Sequence, residues 1–172
     1  MTKLRAALVT PLSGHLSRFG REGALALEIW AEHAADLPSP FTGVDLRVAD
    51  YEPDHELALR SVLETEPHLL FGPYGSSTAV SLAKSTDRTI WNHGGASSTL
   101  RWPEFSHVVN VLSPARTYFD GILRAIGATD PDASTVTLLH GDTGFERDVA
   151  SGALETAREL GFEVGVFPFR PC

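Results

Sequence analysis

The sequence holds one cysteine, Cys172, at the end of its 172 residues. A single thiol closes no internal disulfide, and no cysteine cluster exists to hold zinc. No apolar run approaches the roughly 20 residues of a membrane span. The opening Met1-to-Arg5 stretch runs into Ala6-Ala7-Leu8-Val9 and then Pro11, an apolar segment too short for an export signal. Basic residues are outnumbered: 14 Lys and Arg stand against 22 Asp and Glu, a formal net charge of −8. An acidic surface repels phosphate backbones, so nucleic acid is excluded as the expected partner.

Catalytic signatures are also missing. No G-x-G-x-x-G follows the first strand-like segment, and no Walker lysine occurs. Gly75-Ser76-Ser77 does not match a G-x-S-x-G elbow. The histidines at 15, 33, 55, 68, 93, 107 and 140 show no metal-binding spacing. The expectation is a protein with no catalytic residue, no cofactor and no metal.

What is present is an alternation of strand-like and helix-like segments. Leu4 to Thr10, Val44 to Ala49, His68 to Gly72, Thr89 to Asn92 and Val108 to Leu112 read as strands. Helices are predicted over Phe19 to Ala35, Asp54 to Thr65 and Ser76 to Ser85. The rhythm then restarts. Arg116 to Ile126 reads as a helix and Thr135 to Leu139 as a strand. Thr143 and Glu146 have capping-box spacing before a helix to Leu160, Gly161 ends it, and Glu163 to Phe167 is a last strand. Strands alternating with helices imply an α/β fold built on parallel sheets. The expected architecture is a three-layer, doubly wound lobe in the flavodoxin-like order 2-1-3-4-5 over residues 1–112. An incomplete second α/β lobe is expected over residues 113–172, since two strands and two helices bury too little to stand alone.

Ligands of open parallel sheets bind beyond the carboxyl ends of the strands. Three Gly- and Ser-rich loops lie there: 11–19, 72–78 and 93–98. In the second, Gly75 precedes Ser76, Ser77 and Thr78 at a helix start, a place that attracts an anion such as a carboxylate. The alternative is that Ser76 simply caps its helix. In the third, Gly94 and Gly95 either make a tight turn or bare their backbone to a ligand. Phe19, Tyr74 and Trp102 are placed to wall a pocket or to serve as rim aromatics. His93, at a strand end beside these loops, reads either as an acid or base or as a hydrogen-bonding residue.

At these loops the sequence resembles the type I periplasmic binding proteins, in particular the branched-chain amino acid and amide-binding branch. The resemblance rests on Pro11-Leu12-Ser13-Gly14, Phe19-Gly20, Gly23-Ala24, Asp50-Tyr51, Pro53, Phe71-Gly72 through Ala79, Asn110 to Pro114, and Asp142 through Glu146. It implies two lobes closing on a ligand through a hinge near Ser113-Pro114. Ser76 and Ser77 would hold a carboxylate or polar head, and Gly94, Gly95 and Ala96 the ammonium and carboxylate groups. Phe19 would line the apolar side, with Tyr74 nearby, and Phe145 would approach from the second lobe. Ala96 stands where amino-acid binders of the family usually carry Thr, and Phe19 replaces the common Tyr.

The function so implied is reversible binding of a small polar metabolite (an amino acid, amide or short carboxylate) by the substrate-binding component of an ABC-type transporter, with a membrane permease complex as partner. The alternative is a cytosolic ligand-sensing module acting with a regulator, and behind it an enzyme on a Rossmann-like sheet. A periplasmic or cell-surface location is expected if a leader has been removed, and a cytoplasmic one for the sequence as it stands. The apolar faces of an unfinished second lobe predict that the chain self-associates.

Overall fold

The structure is a computed structural model that describes residues 2–34 and 36–169. The expected helix end at Ala35 and the terminal Cys172 lie outside the described residues. The chain divides into two compact units, Met1–Gly95 with Pro103–Leu112, and Ala96–Trp102 with Ser113–Cys172. Ala96–Trp102 joins the second unit through two bonds: Ala115 N–H donates to the Ala96 carbonyl at 2.7 Å, and Ser98 N–H to the Asp148 carboxylate at 2.7 Å.

In the first unit, β1 (Thr2–Thr10), β2 (Phe41–Asp50), β3 (Leu69–Phe71), β4 (Ile90–Asn92) and β5 (Val108–Asn110) form one parallel sheet in the order β2-β1-β3-β4-β5. This is the order expected from the sequence. Central β1 is buried on both faces, so its Ala6-Ala7-Leu8-Val9 run does not alternate. Fully burying a side chain such as Leu8 stabilises the fold by about 1.5–3 kcal/mol. Edge strand β2 alternates instead, with Asp45 and Arg47 exposed between half-buried Val44, Leu46 and Val48.

Three helices complete the unit: α1 (Ser17–His33), α2 (His55–Leu63) and α3 (Ser76–Lys84). The Trp30 ring meets Phe71 edge-on at 6.4 Å, which places α1 on the sheet face carrying Phe71, Trp91 and Val109. Helix α3 lies on the opposite face, where its Ala79 packs against Gly95 beside the Asn92 side chain. Ser81 Oγ and His55 Nε2, 3.1 Å apart, join α2 to it. Asp54 caps α2 by accepting from Glu56 N–H and Leu57 N–H, each at 3.0 Å, so the helix starts at His55. On the α1 face, Trp91 and its register partner Val109 remain 39% and 38% exposed.

Beyond Ala96–Trp102, with its 3-10 turn at Ser98–Arg101, the second unit runs through a 3-10 turn at Ala115–Thr117, α4 (Asp120–Thr129), β6 (Thr135–His140), α5 (Gly144–Glu159) and β7 (Glu163–Pro168). Strands β6 and β7 pair in parallel. Leu123 of α4 and Ala153 and Ala157 of α5 form a small core with Phe162, packed on Val136, Leu138 and Val164. The capping box is present: Glu146 N–H donates to Thr143 Oγ1 at 3.2 Å and Thr143 N–H to the Glu146 carboxylate at 2.9 Å. The helix expected from Arg116 is delayed to Asp120. Thr117 Oγ1 donates to the Pro114 carbonyl at 2.9 Å and Tyr118 N–H to that of Ala115 at 3.1 Å, which tightens this stretch into a 3-10 turn.

Candidate functional site

The carboxyl ends of β1, β3 and β4 lead into three loops of the first unit that touch one another. Tyr74 forms a parallel bridge with Gly94, and Gly75 N–H donates to the Gly94 carbonyl at 2.9 Å. The Tyr74 ring stacks on Phe19, with centroids 4.6 Å apart and planes 11° from parallel. Phe19, Tyr74, Ser76, Ser77, Gly94 and Gly95 therefore share one end of one sheet. Ala96 and Phe145 belong to the second unit.

The Phe19–Tyr74 stack exists because α1 enters very close to β1. A Cβ on Gly20 would lie 1.8 Å from the Pro11 carbonyl oxygen. Only glycine allows this approach, which sets Phe19 one residue earlier at the sheet edge. Asp50, at the end of β2, steadies the first loop by accepting from Leu12 N–H at 2.8 Å and Glu52 N–H at 3.1 Å. Burial pushes the Asp50 carboxyl up, but hydrogen bonds from Leu12 N–H, the Ser13 hydroxyl and Glu52 N–H outweigh it and hold the group below its ordinary value.

Ser76 is not the cap of α3. Gly75 occupies that position with φ +103°, and no side chain caps the helix. Thr78 Oγ1 turns back to the carbonyls of Tyr74 and Gly75, at 2.6 and 2.8 Å. Ser77 is exposed and Ser76 half-buried at the positive end of α3, directly after the aromatic Tyr74.

Gly94 and Gly95 are buried and packed against protein. A Cβ on Gly94 would come within 2.6 Å of Tyr74 Cα, and one on Gly95 within 2.3 Å of Ala79 Cβ. Gly95 N–H donates to Asn92 Oδ1 at 2.8 Å, and its carbonyl accepts from Asn92 Nδ2 at 2.6 Å. Asn92 Nδ2 also donates to Asn110 Oδ1 at 2.8 Å. The glycines thus set the loop that carries Tyr74.

Asp50, Thr78 and Asn110 stand in the sequence motifs without a role of their own, and Asn92 is not singled out by them. A buried asparagine ending an apolar strand is the signal that marks Asn92. His93 faces α1, with its Nε2 3.1 Å from where a Cβ on Gly23 would sit. Its Nδ1 is buried with no hydrogen-bond partner, and burial pushes the imidazole pKa down.

In the second unit, Phe145 meets Tyr118 edge-on at 5.9 Å and lines a cavity of about 520 Å³ with Phe119, Leu139, His140, Val149 and Phe169. Ala96 is buried. Among the described residues, no group of three His, Cys, Asp or Glu side chains is arranged to hold a metal ion. No helix among them is long and apolar enough to cross a membrane.

No known protein-family profile matches the chain. Solved structures do. A periplasmic binding protein from Burkholderia mallei matches over 98% of this chain and 47% of its own, with a TM-score of 0.76 at 17% identity. A solute-binding protein of an ABC transporter from R. palustris, in complex with benzoate, matches over 99% and 48%, with a TM-score of 0.79 at 13% identity. A leucine-binding protein from Thermotoga maritima matches over 97% and 49%, with a TM-score of 0.77 at 15% identity. The chain spans about half the length of these solved proteins, and its fold is that of the type I periplasmic binding proteins, as the sequence resemblance implied.

Proposed function

We propose that the carboxyl edge of the first unit's sheet reversibly binds a small polar metabolite, an amino acid, amide or short carboxylate. In this reading the chain belongs to the substrate-binding component of an ABC-type transporter, acting in the periplasm or at the cell surface with a membrane permease complex. The observation that carries the reading is the stacked Phe19–Tyr74 pair beside the start of α3. The rings offer a flat apolar wall, and the helix end with Ser76 and Ser77 favours a carboxylate next to it. Gly94 and Gly95 hold that wall in place. A leucine-binding protein and a benzoate complex of the same fold have ligands that combine an apolar body with a carboxylate, which suits this pairing.

The test is an amide NMR titration of the chain with leucine and with benzoate. Shifts centred on Phe19, Tyr74 and Ser77 are expected. A Ser77→Ala change that removes a bond to a charged group should weaken binding roughly 10-fold or more. Saturable binding whose shifts fall elsewhere would place the ligand away from this edge.

We also infer that the chain self-associates. Trp91, Val109 and Val111 of the first unit and Leu139 and Phe167 of the second are exposed apolar side chains, Leu139 at 69%. Light scattering at tens of micromolar tests this, and a clean monomer would count against it.

A further inference from the structure

We propose that His93 makes the Phe19–Tyr74 wall acid-labile: once the imidazole is protonated, its ring leaves its seat against α1 and the two aromatic rings part. As a control on ligand binding, this rests on the binding role proposed for that wall.

Both halves of the wall are built one step from His93. On one side the imidazole packs on α1 at Gly23, with Nε2 3.1 Å from where a Cβ would sit. Phe19 lies four residues earlier, one turn away on the same face of the helix. With no side chain at Gly23, the imidazole itself is what α1 rests on at this point. On the other side, the next residue, Gly94, bridges to Tyr74, and its carbonyl accepts the Gly75 N–H. The strand end is held in place, since Asn92 brackets Gly95 through its N–H and carbonyl. A change at His93 is therefore taken up by the ring and by α1, not by the backbone that ends β4.

The seat suits a neutral imidazole only. Nδ1 is buried with no hydrogen-bond partner. A neutral ring can keep that nitrogen unprotonated, whereas an imidazolium carries N–H on both nitrogens. A buried donor with no acceptor is costly, and a charged one costs most. Water reaches the new proton when the ring turns out from under α1.

No nearby charge compensates. Continuing the strand register, His93 has Pro73 on one side and Val111 on the other, with Thr10 beyond Pro73. Asp50 ends that row beside Thr10, and its carboxylate is committed to Leu12 N–H, Glu52 N–H and the Ser13 hydroxyl. On α1, Arg18 and Glu22 pair with each other in solvent at 3.2 Å, Arg21 donates to the Leu12 carbonyl at 2.8 Å, and Glu28 is exposed. From the loop side the titratable residue is Tyr74, whose ring is stacked on Phe19. Burial alone pushes the imidazole below its usual 6.5. The wall is therefore intact at neutral pH and opens in acid.

NMR of the ligand-free chain provides the test, from about pH 7.5 down to about pH 4.5. It follows the His93 ring protons, the cross-peaks between the Phe19 and Tyr74 rings, and the amides of fully buried Leu8 and Leu82. The ring cross-peaks are expected to vanish with the same midpoint as His93 protonation, while Leu8 and Leu82 keep their native shifts. In His93→Leu the cross-peaks are expected to persist over the whole range. Cross-peaks that survive beside a protonated His93 overturn the proposal. So do cross-peaks lost at the same pH in His93→Leu, or lost only together with the native shifts of Leu8 and Leu82. If His93→Leu does not fold, the parent decides through its two midpoints. Because no ligand is used, failure here is distinct from a failure of the wall to bind leucine or benzoate.

Discussion

The Asn92 side chain brackets Gly95, accepting its N–H at 2.8 Å and donating to its carbonyl at 2.6 Å. Asn92 is fully buried, and its amide also holds Asn110. One side chain therefore joins β4, β5 and the loop beneath Tyr74. Replacing Asn92 by Ala leaves the buried N–H and carbonyl of Gly95 without this partner and removes one bond to Asn110 Oδ1, at an expected cost of about 2–4 kcal/mol. Asn92→Asp should cost at least as much, since it sets a carboxylate oxygen against the Gly95 carbonyl and Asn110 Oδ1. Urea unfolding of both variants checks this. A midpoint unchanged from the parent would mean that the loop stands without the bracket.

Two glycines in helices should respond in opposite ways to the same added methyl group. Gly20 in α1 has the Pro11 carbonyl oxygen 1.8 Å from the place its Cβ would take. Gly20→Ala forces α1 off β1, with an expected loss of about 1–3 kcal/mol or more. Gly121 in α4 has nothing within 4 Å of that place. Gly121→Ala should stabilise the chain by about 0.5–1 kcal/mol through helix propensity. Thermal unfolding of the two single variants gives both signs. Gly20→Ala should also weaken any ligand binding that depends on Phe19.

The strand order, the helix after Gly75 and the Thr143 capping box were legible because each rests on local signals: apolar runs, glycine at a turn, and a spacing of three. The sheet edge used by the loops followed from the strand order. Less legible were contacts that depend on two distant segments meeting. Gly20 fits one carbonyl in β1's exit loop, and Asn92 finds Asn110 across a strand pair; nothing in either neighbourhood announces the partner. The Ser76 cap illustrates a local competition. Serine is a good cap, but Gly75 takes the positive-φ conformation that the turn demands, so the helix begins one residue earlier than a Ser76 cap would put it.

Asp50 gives an acid-sensitive tie between β2 and the first loop. Its folded carboxyl lies below the ordinary 3.8. A depressed acid stabilises the fold above its unfolded pKa, and that contribution is lost as pH falls through the folded value. Asp50→Ala should therefore unfold at a lower temperature than the parent near neutral pH, with the gap closing as the pH falls below about 4. A gap that stays constant across the acid range would assign Asp50 a packing role only.

His93 works nearer to neutrality than Asp50. Burial pushes its pKa below the usual 6.5, and its buried Nδ1 has no partner. Below that pH the unfolded chain takes up a proton that the folded imidazole resists. The stability present above about 6.5 is therefore lost as the pH falls toward the folded value. His93→Leu removes both the orphaned nitrogen and the proton linkage. It should match or exceed the parent at pH 7, and its advantage should widen toward pH 5. Histidine ring-proton NMR gives the direct check, with His93 expected to titrate below 6.5. A His93 that titrates at or above that value has an acceptor for its proton, and the widening advantage of His93→Leu disappears with it.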